Sequence, residues 1–103
     1  MSFGLITRSN ILDAFKVPGG QNKLIVVYKT GCSHCEKMKA TLARAGYDIS
    51  KADSVRDDAR NVLFINERKV VPGTVPYFPY VFRSNGNNSA DVSDIYARYG
   101  LHP

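Results

Sequence analysis

Residues 24–35 read LIVVYKTGCSHC, and this stretch decides the fold. Its first five residues are a continuous β-favouring run without polar alternation, which is typical of a central strand covered on both faces. From Cys32 onward, apolar side chains recur at helical offsets of three and four, at Cys35, Met38, Leu42 and Ala45. The pattern predicts a strand that leads into a helix, with Cys35 on the buried face and Cys32 exposed at the helix start.

Capping and turn residues divide the rest of the chain into further short elements. Residues 3–7 predict an edge strand, and Asn10 predicts the start of a helix. Residues 47–52 predict a weak strand. Ser54, with Asp57 three residues later, predicts a second capped helix whose apolar stripe is formed by Val55, Ala59 and Val62.

The carboxy-terminal part predicts a hairpin followed by a helix. Residues 80–82 form a β-favouring run, and Asn85 with Gly86 is a strong signal for the turn. A last helix ends at Gly100 and carries Ile95, Tyr96 and Tyr99. The predicted order is β-α-β-α-β-α-β-β-α, in one α/β domain of residues 1–103 with a mixed sheet of four to five strands flanked by helices.

The composition fits one small globular domain. The chain has 103 residues, and its net charge of +5 is scattered without basic and aromatic interleaving, so we expect no nucleic-acid partner. The first ten residues lack the apolar run of a signal peptide, and no stretch approaches the length needed to span a membrane. We therefore expect no membrane association and a reducing, cytoplasmic location.

The two cysteines of the chain have a spacing that suits thiol–disulfide exchange. Exchange needs an exposed thiolate that attacks and a second thiol that resolves the mixed disulfide. We predict Cys32 as the nucleophile, with a pKa lowered by the helix amino terminus, and Cys35 as the resolving thiol. The imidazole of His34 would stabilise the Cys32 thiolate; a solvated histidine is the alternative. For the pair, the alternatives are two incidental buried cysteines or half of a metal site completed by a partner.

Residues 28–35, YKTGCSHC, resemble the active-site segment of glutaredoxins within the thioredoxin superfamily, and the resemblance covers residues 24–99. It implies a thioredoxin-like fold and an activity that depends on glutathione, in which Lys29 pairs with a glutathione carboxylate. Thioredoxins usually carry a buried Asp six residues before the first cysteine. Val26 occupies that position here, which favours the glutaredoxin branch.

The resemblance also implies a cis-proline opposite the cysteines, after a residue whose backbone pairs with the substrate. Pro76, which follows Val75, resembles the glutaredoxin Thr-Val-Pro signature. Pro79 opens a segment similar to the family's Pro-x-Val-Phe strand, whereas choosing Pro76 leaves Pro79 inside a central strand, where its missing N–H breaks the ladder. We predict a cis Phe78–Pro79 bond, and assign both residues, together with Ser33 beside the nucleophile, to the substrate site.

Residues 90–95, ADVSDI, are similar to the glutaredoxin segment Gly-Gly-Cys-Ser-Asp-Leu at the start of the last helix. By this resemblance, Ser93 and Asp94 hold the γ-glutamyl end of glutathione at a helix amino terminus. An ordinary helix cap is the alternative. Ala90 and Asp91 replace the glycine pair, and the added carboxylate of Asp91 would repel glutathione.

These observations predict a glutathione-dependent thiol–disulfide oxidoreductase that acts as a monomer on glutathione mixed disulfides and disulfide-containing proteins. Glutathione is the expected co-substrate, with no metal and no tightly bound cofactor. The alternative among enzymes is a thioredoxin-type reductase. The alternatives from other classes are a metal or iron–sulfur handling module that uses the same thiols, and a redox-inert interaction domain.

Overall fold

Strand β1, Leu24–Tyr28, is the middle strand of a five-stranded mixed sheet. The computed structural model describes residues 5–7, 10–14, 22–84 and 89–101. In chain order, its other elements are α1 (Ile11–Ala14), α2 (Ser33–Arg44), β2 (Ser54–Asp57), β3 (Val62–Asn66), a 3₁₀ helix (Glu67–Lys69), β4 (Tyr80–Arg83), β5 (Ser89–Ala90) and α3 (Val92–Arg98).

The strands lie in the order β2-β3-β1-β4-β5. β1 is parallel to β3, with Leu24 opposite Val62, and antiparallel to β4, with Val27 opposite Tyr80. Two parallel neighbours need a long crossover connection, and α2 forms part of the one between β1 and β3. The α/β class and the mixed sheet of five strands are confirmed.

The unbroken apolar run of β1 is explained by two apolar clusters, one on each face of the sheet. Side chains alternate along a strand. Leu24, Val26 and Tyr28 pack on one face with residues of α2 and α3, whereas Ile25 and Val27 pack on the other with β3 and the segment that follows it. All five are at most 2% exposed, so β1 is covered on both sides, as predicted.

Helix α2 confirms the predicted helical spacing. Cys35, Met38 and Leu42 are fully buried on its inner face. The predicted last member of this stripe, Ala45, is exposed, because the helix ends at Arg44 and the chain turns away. Gly46 follows with a φ of 95°, the left-handed conformation that commonly ends a helix.

The predicted strand at residues 47–52 and the predicted helix that begins at Ser54 are wrong. Residues 47–52 are a loop, and residues 54–66 form the antiparallel hairpin β2–β3, in which Ser54 faces Ile65. The turn is closed by Asp57, whose side chain accepts a hydrogen bond from the Arg60 backbone N–H at 3.2 Å. Three apolar residues at helical spacing were a weaker signal than the β-favouring run of residues 62–65. The predicted strand and helix order is therefore corrected.

The amino-terminal prediction holds in part. Helix α1 follows Asn10, as expected. In place of the edge strand at residues 3–7, the described part shows one parallel bridge between Ile6 and Val70. Residues 1–4 and the predicted Asn85–Gly86 turn lie outside the described residues.

The short hairpin return and the last helix are confirmed by β5 and α3. Ile95, Tyr96 and Tyr99 are buried, and Gly100 follows with a φ of 68°. The longest helix in the described ranges is α2, with 12 residues, and none there combines the length and apolarity needed to cross a bilayer.

Candidate active site

Cys32 lies where β1 has ended and α2 begins. It is the N-cap residue of α2, with extended backbone angles (φ −83°, ψ 128°), and its side chain is partly buried against the apolar cluster below α2. Its Sγ–H donates to the carbonyl oxygen of Phe78 at 3.6 Å. The prediction of an exposed Cys32 holds in part, because Phe78 and the cluster cover some of the side chain.

The pKa of Cys32 is lowered by its position. Burial alone raises it, but this is outweighed by a hydrogen bond from the Cys35 thiol, by the backbone N–H groups of Cys35 and His34, and by the charge of Lys29. The two N–H groups belong to the first turn of α2, where backbone donors have no partner within the helix. The predicted lowering of the Cys32 pKa agrees with this environment.

Cys35 lies in an environment that raises its pKa. Its side chain is fully buried, and its sulfur accepts a hydrogen bond from the Lys29 backbone N–H at 3.3 Å. Burial is the main cause that raises its pKa to about 12, and the neighbouring Cys32 and Glu36 raise it further. The two thiols are free, and they differ in both exposure and acidity.

The loop that carries Cys32 is held from two sides. Thr30 accepts a hydrogen bond on its Oγ1 from the side-chain amide of Asn66 at 3.2 Å. Gly31, with a φ of 86°, donates its backbone N–H to Oε2 of Glu36 at 3.1 Å. These contacts join the loop to β3 and α2, and Glu36 was not among the predicted site residues.

The Phe78–Pro79 bond is cis, as predicted, and the alternative at Pro76 is not supported. The ring of Phe78 lies 5.9 Å from Lys29 Nζ, measured to the ring centroid. Phe78 and Lys29 also border a groove of about 220 Å³, whose other lining residues are Glu67, Val70, Val71, Pro72, Gly73, Thr74 and Val75. Phe78 therefore contacts Cys32 through its carbonyl oxygen, and it borders a largely apolar groove together with Lys29.

Ser93 and Asp94 do not line this groove. They belong to the first turn of α3, where Asp91 is the N-cap residue. The Asp91 carboxylate accepts hydrogen bonds from the N–H and hydroxyl of Ser93, which lower its pKa, and Asp94 accepts the Asp91 N–H at 2.9 Å. Asp94 also pairs with Arg83 at 3.6 Å. This turn therefore forms a helix cap whose N-cap residue is Asp91, and a glutathione contact by Ser93 and Asp94 stays a prediction.

Ser33 and His34 are the first two residues of α2, and both are exposed. The contribution of His34 that the geometry supports comes from its backbone N–H towards Cys32. A role for its imidazole, and a substrate contact by Ser33, stay predictions. Within the described ranges, no three side chains of His, Cys, Asp and Glu are grouped to hold a metal ion.

The sequence analysis did not predict the contact of Glu36 or the capping role of Asp91. Glu36 follows Cys35 directly, but its contact with Gly31 depends on a loop conformation that periodicity does not reveal. Asp91 could have been found, because Asp three residues before another Asp is the spacing of a capping box. Comparison with protein families, curated proteins and solved structures gives no match for this chain.

Proposed function

We propose that this protein is a glutaredoxin-like thiol–disulfide oxidoreductase that uses Cys32 and Cys35. The observation that carries the proposal is the difference between the two thiols. Cys32 is partly exposed, with a lowered pKa, and Cys35 is buried behind it, with a pKa of about 12. Exchange requires one thiol that attacks and another that waits for the mixed disulfide.

The proposed reaction begins when the Cys32 thiolate attacks one sulfur of a disulfide. A new S–S bond forms to Cys32, the substrate S–S bond breaks, and the leaving thiolate takes up a proton. Cys35 then loses its proton and attacks Cys32, which gives the Cys32–Cys35 disulfide and releases the second substrate thiol. Two molecules of glutathione return the dithiol and leave as glutathione disulfide, so two electrons pass from glutathione to the substrate.

Three features support glutathione as the co-substrate. Lys29 lines the groove, where its ammonium can pair with a carboxylate of the tripeptide. The carbonyl oxygen of Phe78 lies beside Cys32, within reach of the backbone of a bound substrate. The net charge of +5 favours the approach of an anion.

A thioredoxin-like fold is part of the same proposal. It is supported by a mixed sheet whose middle strand leads into the dithiol helix, and by a last helix that packs on the same face as that helix. The order of elements along the chain differs from the predicted order, because the hairpin β2–β3 stands where a helix beginning at Ser54 was predicted.

A trapping experiment tests the proposal. Cys35→Ser removes the resolving thiol, so incubation with glutathione disulfide should leave one glutathione adduct on Cys32, measured by intact mass and peptide mapping. Cys32→Ser is the matched control and should gain none. Wild-type protein, mixed with a glutathionylated peptide, glutathione, glutathione reductase and NADPH, should consume NADPH. No adduct and no turnover would reject the proposal.

A thioredoxin-type reductase is the second candidate, and the groove favours it. Five of the nine lining residues are apolar valines, proline and phenylalanine, and Ser93 and Asp94 are already engaged in the α3 cap. A groove of this kind suits an apolar side chain of a protein substrate better than a charged tripeptide. Reduction of a protein disulfide by thioredoxin reductase, without turnover by glutathione, would establish this candidate instead.

A further inference from the structure

Glu36 is the residue directly after the resolving cysteine, and its carboxylate reaches back to the residue directly before the nucleophile. Its Oε2 accepts the Gly31 backbone N–H at 3.1 Å and also the Lys39 ammonium at 3.3 Å. The side chain is 47% exposed, so no packing forces this rotamer. The two hydrogen bonds keep the carboxylate across the start of α2, and the Gly31 contact lowers the Glu36 pKa most.

The contact with Gly31 affects Cys32 because Gly31 directly precedes it in the chain. Glycine has more accessible backbone conformations than any other residue, and Gly31 has a positive φ. Gly31 is therefore the point at which the loop would move most easily. Cys32 follows it and has no side-chain hydrogen bond that caps α2. The backbone angles of Cys32 direct its sulfur towards the N–H groups of α2. These angles therefore depend on the contact that fixes the peptide of Gly31 before it.

We propose that Glu36 is a positioning residue for the nucleophile: its carboxylate oxygen, by accepting the Gly31 N–H, holds Cys32 at the amino terminus of α2. The inference rests on the proposed function for its biological meaning. Without this acceptor, the Gly31 peptide is free to rotate, and the Cys32 sulfur spends less time near the N–H groups of His34 and Cys35. Reactivity of Cys32 then falls, although Glu36 itself never touches the sulfur.

The charge of Glu36 would act differently from its hydrogen bond. A carboxylate near the dithiol disfavours thiolates, and Glu36 is one of the groups that raise the Cys35 pKa. Among the described residues, Lys29 acts on Cys32 by its positive charge, and Lys39 pairs with the carboxylate. Removing the charge alone should therefore leave Cys32 as reactive as before, or slightly more reactive, whereas removing the acceptor should make it less reactive.

Two substitutions separate these roles. Glu36→Gln keeps an oxygen acceptor at the same reach and removes the charge. Glu36→Asp keeps the charge, but its side chain is one methylene shorter and cannot reach Gly31. Lys39→Gln is a control that removes the other partner of the carboxylate. Circular dichroism and thermal unfolding establish that each variant is folded, and the exposed position of Glu36 makes folding failure of its two variants unexpected.

The measurement is the rate of Cys32 alkylation by iodoacetamide between pH 5 and 10. We expect Glu36→Asp to move the midpoint to higher pH and to slow alkylation at pH 7 roughly three- to tenfold, the effect of one lost hydrogen bond. Glu36→Gln and Lys39→Gln should stay within about twofold of wild type. A slow Glu36→Gln, or a Glu36→Asp with the wild-type profile, would overturn the proposal.

The assay contains no disulfide substrate, so its outcome is independent of the proposed reaction. If Glu36→Asp behaves as expected while the protein exchanges with no disulfide, the positioning role stands and the proposed function fails. If exchange proceeds and the variants show another pattern, the function stands and the positioning role fails.

Discussion

The different acidities of the two thiols predict strongly selective alkylation of the folded protein. The perturbation is a brief exposure of wild-type protein to limiting iodoacetamide at pH 8. Cys32 has a lowered pKa and a partly exposed sulfur, whereas Cys35 has a pKa of about 12 and no exposed surface. Because the thiolate is the reacting species, we expect the reagent to modify Cys32 almost alone.

The expected selectivity follows from the ionised fractions. At pH 8, a thiol of pKa about 12 is ionised in roughly one molecule in 10⁴, and a thiol of pKa about 9 in roughly one in ten. The Cys32 pKa is lowered from its ordinary value of 9.0, so its thiolate outnumbers that of Cys35 at least about 900-fold. The more basic thiolate is intrinsically more nucleophilic, which reduces this advantage without cancelling it. Cys32 should therefore react on the order of tenfold faster or more, before burial of Cys35 is considered.

Peptide mapping by mass spectrometry measures the alkylated fraction of each cysteine in the same sample. Wild type is the right protein for this measurement, because Cys32→Ser would remove one of the groups that raise the Cys35 pKa. Unfolding in guanidinium chloride should equalise the two rates and serves as the control. Comparable labelling of both cysteines in the folded protein, or faster labelling of Cys35, would refute the assignment of their roles.

Three further substitutions test the core, the groove and the last helix. Ile25→Ala, at a fully buried position, should cost about 2–5 kcal/mol in urea unfolding; a loss below about 1 kcal/mol would contradict the packing of β1. Lys29→Gln should raise the Cys32 pKa and slow its alkylation at pH 7 by up to about threefold at low salt. The effect should be smaller in about 1 M NaCl because Lys29 is exposed. An unchanged midpoint in the pH profile of alkylation would exclude an effect of the Lys29 charge on Cys32. Asp91→Ala removes the acceptor of the Ser93 N–H and should cost about 0.5–2 kcal/mol at pH 7. Because the folded Asp91 pKa is lowered, this contribution is complete above the unfolded value, about 3.9, and is lost as the pH falls through the folded value; an equal cost at pH 2 and pH 7 would contradict it.

The sequence predicts best where one physical signal dominates. Residues 24–28 contain five apolar or aromatic side chains without interruption, and only a strand buried on both faces uses them all. Helix α2 has a clear stripe of buried residues at offsets of three and four. In residues 54–62, three apolar residues happened to fit a helix, but the pairing of β2 with β3 decides their structure. Pairing is a tertiary effect that a local pattern does not contain.

Some features of the candidate site follow from the sequence and others do not. The difference in burial and acidity between Cys32 and Cys35 depends on position within one helix turn, which the sequence reveals. The contact between Gly31 and Glu36 depends on a positive φ and a particular rotamer, so no pattern predicts it. The start of α3 is interpreted by its resemblance to a glutaredoxin segment and not by its capping chemistry. For that reason the prediction names Ser93, and not Asp91, as the functional residue there.

Among the groups that lower the Cys32 pKa, the residues between the two cysteines contribute a backbone N–H and not a side chain. The donors that face Cys32 are the backbone N–H groups of His34 and Cys35, the second and third residues of α2. A proline at the first helical position, where Ser33 lies, lacks an N–H that the site does not use. A proline or a serine at this position therefore leaves the same two donors in place. We expect the side chains of Ser33 and His34 to act on what the exposed first turn presents to a substrate.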